Sequence, residues 1–353
     1  MIEIKAIEHF DFVQKPKGRI LIIYTGGTLG MDYNKSGALA PCSFDRILNR
    51  VPVIEELQVN LSVISFKTPI DSSNVHIEHW QLLASLIYEH YDQYDGFLIL
   101  HGTDTMAYSA SALSFMLEGV NKPIIFTGAQ LPIASPRSDA TENLVTSLEI
   151  AADKKEGEPI ITEVCIFFNH VRLRGNRAKK VESQHFDAFE SENYPILAEA
   201  GITIDYHWSY LKPFVKDFVQ VHPEMENNIA VLKLFPGLNQ QTASSILLAE
   251  TVKGVIIESY GSGNVPHEKW FLDLLKESVQ KGKLILNVSQ CNGGRVLHGK
   301  YETSSELDKI GVVSGHDLTS EAATAKMMYA LANFPNLKDA KKCLRTPIRG
   351  EMN

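Results

Sequence analysis

Seven short apolar runs recur along the chain: RILIIY (19–24), FLIL (97–100), IIFTG (124–128), VCIFF (164–168), VLKLF (231–235), VIIESY (255–260) and LILNVS (284–289). Runs this short with hardly a polar interruption suit strands buried on both faces, as in the interior of a parallel sheet. Amphipathic stretches lie between them, among them MAYSASALSFMLE (106–118), NLVTSLEIAADK (143–154) and TSEAATAKMMYALANF (319–334). The last opens on a Thr-Ser cap with Glu321 in its first turn. PHEKW (266–270) is expected to begin another helix, with its proline in the first turn. Strand and helix in alternation predict an α/β fold with right-handed crossovers.

At roughly 100–200 residues per domain, 353 residues predict two domains. The stretch DYHWSYLKPFVKDFVQVHPEMENN (205–228) has two prolines and no sustained period, and reads as a connector. The expected division is an N-terminal domain over 1–205, a linker over 206–228 and a C-terminal domain over 229–353. The larger N-terminal domain should hold a mainly parallel sheet flanked by helices, and the smaller one a parallel sheet of its own. So long a chain can bury a large core without disulfides or metals. The net charge of −8 argues against a nucleic-acid binder or an anionic-membrane binder. Cys42, Cys165, Cys291 and Cys343 are scattered without CxxC spacing, which suits a reducing compartment. The N-terminus lacks a signal-peptide apolar core, and no run of 18 apolar residues occurs, so a cytoplasmic protein is expected. Taken by itself, the basic run VRLRGNRAKK (171–180) reads as a solvated face.

Two strand ends carry chemistry. IIYTGGTLGM (22–31) ends a strand in two glycines flanked by threonines, a phosphate cradle or a loop presenting a reactive hydroxyl. A Walker A loop would need a lysine after the glycines, and none is there. The dinucleotide pattern GxGxxG is missed by one residue, with Thr25, Gly27 and Gly30 at its glycine positions and Asp45 at a tolerable distance for a ribose contact. LHGTDTMAY (100–108) repeats the arrangement of strand, glycine, hydroxyls and helix. Ligands bind outside the carboxyl ends of strands in open α/β sheets, so Thr25, Thr28, Thr103, Asp104 and Thr105 can share one crevice. Each threonine taken alone also suits a helix cap. A threonine hydroxyl attacks only when a base removes its proton, and a lysine among apolar and cationic neighbours can be that base. The basic run supplies candidates.

YTGGTLGM, ILHGTDTMAYSASALSFMLE, the DSS of TPIDSSN (68–74), RGNRAKK, SYGSGNVP (259–266) and NVSQCNGG (287–294) together resemble the asparaginase/glutaminase-type amidohydrolases. The resemblance is greatest to the cytosolic, type I bacterial L-asparaginases and covers nearly the whole chain. It implies hydrolysis of L-asparagine, a small-molecule substrate, with Thr28 as nucleophile and a Thr103–Lys180–Asp104 relay. It places Ser72, beside Asp71 and Ser73, and also Thr103 and Asp104, on the substrate, with Gly27 and Ala129 near the bound amide. Asn264 would reach the site of a neighbouring protomer in a dimer or tetramer. The resemblance implies no metal and no organic cofactor.

Two departures stand out. Family members carry a tyrosine on the loop after TGGT where this chain has Ala38, and Tyr33 is the nearby substitute. Some type I members bind asparagine at a separate activating site through an arginine; this chain has Glu258 there, while Cys291 is retained. A carboxylate at that position would repel the effector's own, so activation should be lost or altered. Asparagine and glutamine differ by one methylene, worth ~1–3 kcal/mol in a pocket, so a glutaminase remains an alternative. A non-catalytic nucleotide-binding module is the rival from another class. His76 and His79 in VHIEHW do not form HExxH, and His101 is expected to be a structural hydrogen-bonding group. Trp80, Trp208 and Trp270 read as packing residues.

Overall fold

The computed structural model describes every residue except 1, 35, 217 and 299–301, together with all side chains but those of 301–305 and these residues. The chain divides into two compact units, Met1–Pro223 and Glu224–Asn353. In the first, nine strands form one sheet: β1 (Glu8–Phe10), β2 (Gly18–Gly26), β3 (Val59–Ile70), β4 (Gly96–Leu100), β5 (Ile124–Thr127), β6 (Val164–Phe168), β7 (Val171–Arg174), β8 (Ala198–Ala200) and β9 (Ile204–Tyr206). Their order is β1-β3-β2-β4-β5-β6-β7-β8-β9. The central five are parallel, as the apolar runs predict, and Ile20 to Ile23 on β2 are fully buried. Antiparallel strands extend both edges and make the sheet mixed.

Three helices matter for the strand ends: α1 (Ile77–Glu89), α2 (Met106–Met116) and α3 (Ala140–Ala152). Every residue of α2 except Tyr108 is buried. Its small residues let the 3-10 turn Gly175–Arg177 sit close: a Cβ on Gly175 would lie 3.0 Å from that of Ala110. Of the expected connector 206–228, Tyr206 closes β9, and Gln220–Val221 pairs with Leu117–Glu118 inside the first unit.

The second unit holds a four-stranded parallel sheet, β10 (Ile229–Lys233), β11 (Gly254–Ser259), β12 (Leu284–Ser289) and β13 (Val313–Ser314), in sequence order. Its helices include α4 (Gln240–Leu247), α5 (Lys269–Gln280), α6 (Ser320–Asn333) and α7 (Leu337–Arg345). Thr319 caps α6 as expected, its hydroxyl accepting from the Ala322 N–H at 3.1 Å. The helix predicted to begin at Pro266 starts later. Glu268 is its extended N-cap and α5 begins at Lys269, where the amphipathic repeat itself begins. Beneath α6 the Lys326 ammonium meets the Glu351 carboxylate at 2.5 Å, both completely buried. Trp208 is also not a packing residue: half of it is exposed, with the Lys155 ammonium 4.1 Å from its ring centre.

Candidate active site

The end of β2 is built by close approach of backbone to backbone. The Thr25 hydroxyl donates to the Leu100 carbonyl at 2.9 Å and ties the tips of β2 and β4 together. Gly26 and Gly27 then take φ values of +138° and +86°, which favour glycine. Space demands it too, since a Cβ on Gly27 would lie 2.7 Å from the Gly102 nitrogen. Thr28 and Thr103 each follow one glycine of that contact. Thr28 opens a single 3-10 turn, Thr28–Gly30, which runs into the hairpin Met31–Tyr33 with Leu39–Pro41. A pyrophosphate would need a helix N-terminus after the glycines, and this turn provides none. Asp45, the ribose candidate, is exposed in the following helix, Phe44–Arg50. The Thr28 hydroxyl is half-buried and makes no hydrogen bond among the described residues. Tyr33 is 48% exposed in the hairpin, and the Ala38 N–H donates to Asn34 Oδ1 at 3.0 Å.

The loop after β4 is fixed from below. His101 is completely buried, and its Nδ1 lies 2.7 Å from the Gly102 carbonyl. A carbonyl can only accept, so Nδ1 carries the proton and Nε2 accepts from Ser109 Oγ at 3.0 Å. Ser109 Oγ accepts in turn from the Trp80 indole N–H at 2.9 Å. Burial pushes the His101 pKa down to about 4, so the ring is neutral at pH 7 and acts as a spacer under Gly102. Ser72 is buried on the other side, and a Cβ on Gly102 would lie 2.6 Å from its hydroxyl oxygen. Asp71 spends its carboxylate on the Ser73 N–H at 3.0 Å, and both residues are exposed. The Thr105 hydroxyl donates to the Ser72 carbonyl at 2.8 Å, so Thr105 braces the loop instead of facing the crevice. The His79 ring accepts from the His76 N–H at 3.0 Å and closes the first turn of α1.

Lys180 reaches this loop from far along the chain. Its ammonium donates to Thr103 Oγ1 at 2.8 Å and to Asp104 Oδ1 at 2.6 Å. The lysine side chain is 18% exposed and that of Asp104 is 64% exposed. Lys180 lies on a two-residue strand paired with Phe189–Glu190, just beyond the Gly175–Arg177 turn. Here the basic run departs from the solvated face expected of it. Arg174 is clamped by the Glu163 carboxylate at 2.5 Å, donates to the Tyr210 carbonyl at 3.2 Å and covers the Tyr194 ring at 4.2 Å. Arg172 is fully buried with Nη2 on Cys165 Sγ at 2.6 Å, and Arg177 is 2% exposed. A buried cation needs partners, and these come from distant segments that the local pattern does not reveal.

Ala129, 2% exposed, follows β5 in the turn Gly128–Ala129–Gln130. A Cβ on Gly128 would lie 2.4 Å from the His101 carbonyl, so this turn abuts the same loop. The Thr103 hydroxyl lies 3.4 Å from Gln130 Oε1, and Gln130 Nε2 donates to the His185 carbonyl at 3.0 Å. Neither the Ala129 nor the Thr103 backbone N–H has a hydrogen-bond acceptor among the described residues. Gly27, Thr28, Ser72, Thr103, Asp104 and Ala129 therefore converge on four adjoining strand ends and the loops they carry, and Lys180 reaches them from its own short strand. Gln130 escaped the sequence reading, its one signal being its place beside Ala129. Asn264 belongs to the second unit, exposed on a tight turn where Tyr260 and Asn264 exchange backbone hydrogen bonds.

Comparison with known proteins extends over both units. Residues 19–212 match the family description "Asparaginase, N-terminal", and residues 228–344 match "Glutaminase/Asparaginase C-terminal domain". The chain is 41% identical over 339 residues to L-asparaginase 1 of Escherichia coli (strain K12), covering 95% of this chain and 98% of that one. The crystal structure of L-asparaginase I from Vibrio cholerae superposes with a TM-score of 0.86 at 37% identity, over 95% of this chain and 99% of the other. The thermostable L-asparaginase from Thermococcus kodakarensis gives 0.87 at 30% identity, again over 95% and 99%.

Proposed function

This chain belongs to the asparaginase family, and from that premise we propose that it hydrolyses the side-chain amide of L-asparagine to L-aspartate and ammonia, with Thr28 as nucleophile. Thr103, Lys180 and Asp104 form the relay that moves the proton. The observation that carries this reading is the Lys180 ammonium on both Thr103 Oγ1 and Asp104 Oδ1, one residue beyond the Gly27–Gly102 contact that seats Thr28.

Asp104 pairs with the substrate's α-ammonium, while the Ser72 hydroxyl and neighbouring backbone N–H groups take the α-carboxylate. Asp71 and Ser73 shape that turn. The substrate's ammonium competes with Lys180 for Asp104, leaving the lysine free to serve Thr103. Thr28 Oγ attacks the amide carbon, and its proton passes through Thr103 to Lys180, which must hold its amine unprotonated to accept it. The free N–H groups of Thr103 and Ala129 are the donors for the oxyanion, each worth roughly 3–4 kcal/mol in the transition state. Ammonia departs carrying a proton from the relay, a β-aspartyl ester remains, and water activated on the Thr103–Lys180 side hydrolyses it. No step calls for a metal or an organic cofactor.

Purified protein should release ammonia from L-asparagine in excess of that from L-glutamine or from buffer alone. Lys180→Met should lower kcat by about 10²–10⁴-fold. A variant within a few-fold of wild type would remove Lys180 from the mechanism.

The reading extends to assembly, place and regulation. A dimer or tetramer in which Asn264 enters a neighbour's site fits the exposure of that side chain on its turn. Four free cysteines support a cytoplasmic enzyme, and no helix among the described residues is long and apolar enough to cross a membrane. Glu258 is held by the Ser320 hydroxyl at 2.6 Å, with Lys233 3.9 Å from its other oxygen. That anchored carboxylate disfavours a carboxylate effector, so rate against asparagine concentration should be hyperbolic. A strongly sigmoidal curve would overturn this expectation.

A further inference from the structure

Asp139 sits where a helix cap belongs and does other work. It precedes α3 as the N-cap residue, yet its side chain accepts nothing from the first turn of that helix. The carboxylate reaches backward instead. The Gln130 N–H lies 2.9 and 3.1 Å from its two oxygens, and the Leu131 N–H lies 3.0 Å from Oδ1. Asn143, one turn into α3 and completely buried, donates through Nδ2 to Asp139 Oδ2 at 3.2 Å and to the Gly128 carbonyl at 3.0 Å. Its Oδ1 accepts from the Asn169 N–H at 3.0 Å, which fixes the amide's orientation. Ser138 does the local capping, accepting from the Ala140 N–H at 3.0 Å. A side chain only 9% exposed thus gives up a helix cap to hold a loop.

The loop so held is Gly128–Ala129–Gln130. We propose that Asp139 is a positioning residue of the hydrolysis, setting the amide-binding turn through its backbone, with Asn143 gripping the turn from its other end. This rests on the reading of Ala129 as an oxyanion donor. The hydrogen-bonding is asymmetric: Asp139 and Asn143 engage Gly128, Gln130 and Leu131, and the Ala129 N–H between them is left over. A donor must stand where the oxyanion forms, so small displacement of the turn reduces turnover more than ground-state binding.

Asp139→Asn tests this, because an amide offers one acceptor oxygen and an NH2 group to three N–H donors. The expected result is a kcat lowered by about tenfold or more, with affinity for L-aspartate and KM within about threefold of wild type. Asp139→Glu, which keeps both oxygens and the charge, should recover part of the loss. A purely architectural role would lower the melting temperature and leave the kcat of folded enzyme intact. That outcome, or kcat and affinity falling in proportion, overturns the proposal. Should Asp139→Asn not fold, Asn143→Ser asks the same question from the Gly128 side and should give the same split. Thr28→Ala separates the two levels. If it is inactive while Asp139→Asn turns over normally, only the positioning role falls; if it stays active, the assigned site itself is wrong.

Discussion

Thr28→Ala should fold as the wild type does and release ammonia from L-asparagine at less than about a thousandth of the wild-type rate. The two halves of that expectation have separate causes. The Thr28 hydroxyl makes no hydrogen bond among the described residues, so deleting it breaks no internal contact. A substitution of that kind shifts stability by within about 0.5 kcal/mol. Its backbone is fixed independently, by Gly27 against Gly102 on one side and by the 3-10 turn on the other. What the variant loses is the oxygen that attacks. Ammonia release and the denaturant midpoint, measured on one preparation, check both halves. Wild-type turnover in the alanine variant would assign the nucleophile to another group.

Glu351→Gln should destabilise the second unit by about 3–5 kcal/mol, seen as a lower denaturant midpoint. Lys326 and Glu351 are both completely inaccessible, and neutralising one removes the opposite charge that the other faces, 2.5 Å away and out of reach of water. The pair has further bonds. Glu351 accepts from the Ile348 and Arg349 N–H groups at 3.1 and 2.7 Å, and the Lys326 ammonium donates to the Thr346 carbonyl at 2.8 Å. Lys326→Met should cost less than Glu351→Gln, because the carboxylate left behind keeps two backbone N–H donors. The double variant should lose less than the sum of the two single changes. A shift below about 1 kcal/mol for Glu351→Gln would show that water or a rearranged tail compensates the lysine.

The buried parallel strands were readable because their surroundings are uniform. VCIFF is apolar on both faces and LILNVS on one, with Asn287 and Ser289 on the other, and both form strands over the same residues that the runs span. β3 was not readable: VNLSVISFKTPI places Ser62 on one buried face and Ser65 on the other, and those serines are concealed by neighbours and not by their own chemistry. In the site, TGGT and HGTDT announce themselves because close backbone approach admits only glycine at certain points. Lys180 is singled out from the basic run only by the family resemblance. The arginines before it misled, since Glu163 and Tyr194, which make their burial tolerable, stand outside any local window. Asp139 drew no expectation from the sequence, because no local rule says that a carboxylate before a helix turns back to hold a loop.

The contact between Gly27 and Gly102 joins loops 75 residues apart through main chain alone. Side chains act on that contact from outside it, through the Thr25 tie to Leu100 and through Ser72 against Gly102. Anyone retuning this catalyst toward a longer amide has a floor that cannot be lowered and walls that can be moved. Gln130, 3.4 Å from the Thr103 hydroxyl, is the wall to redesign.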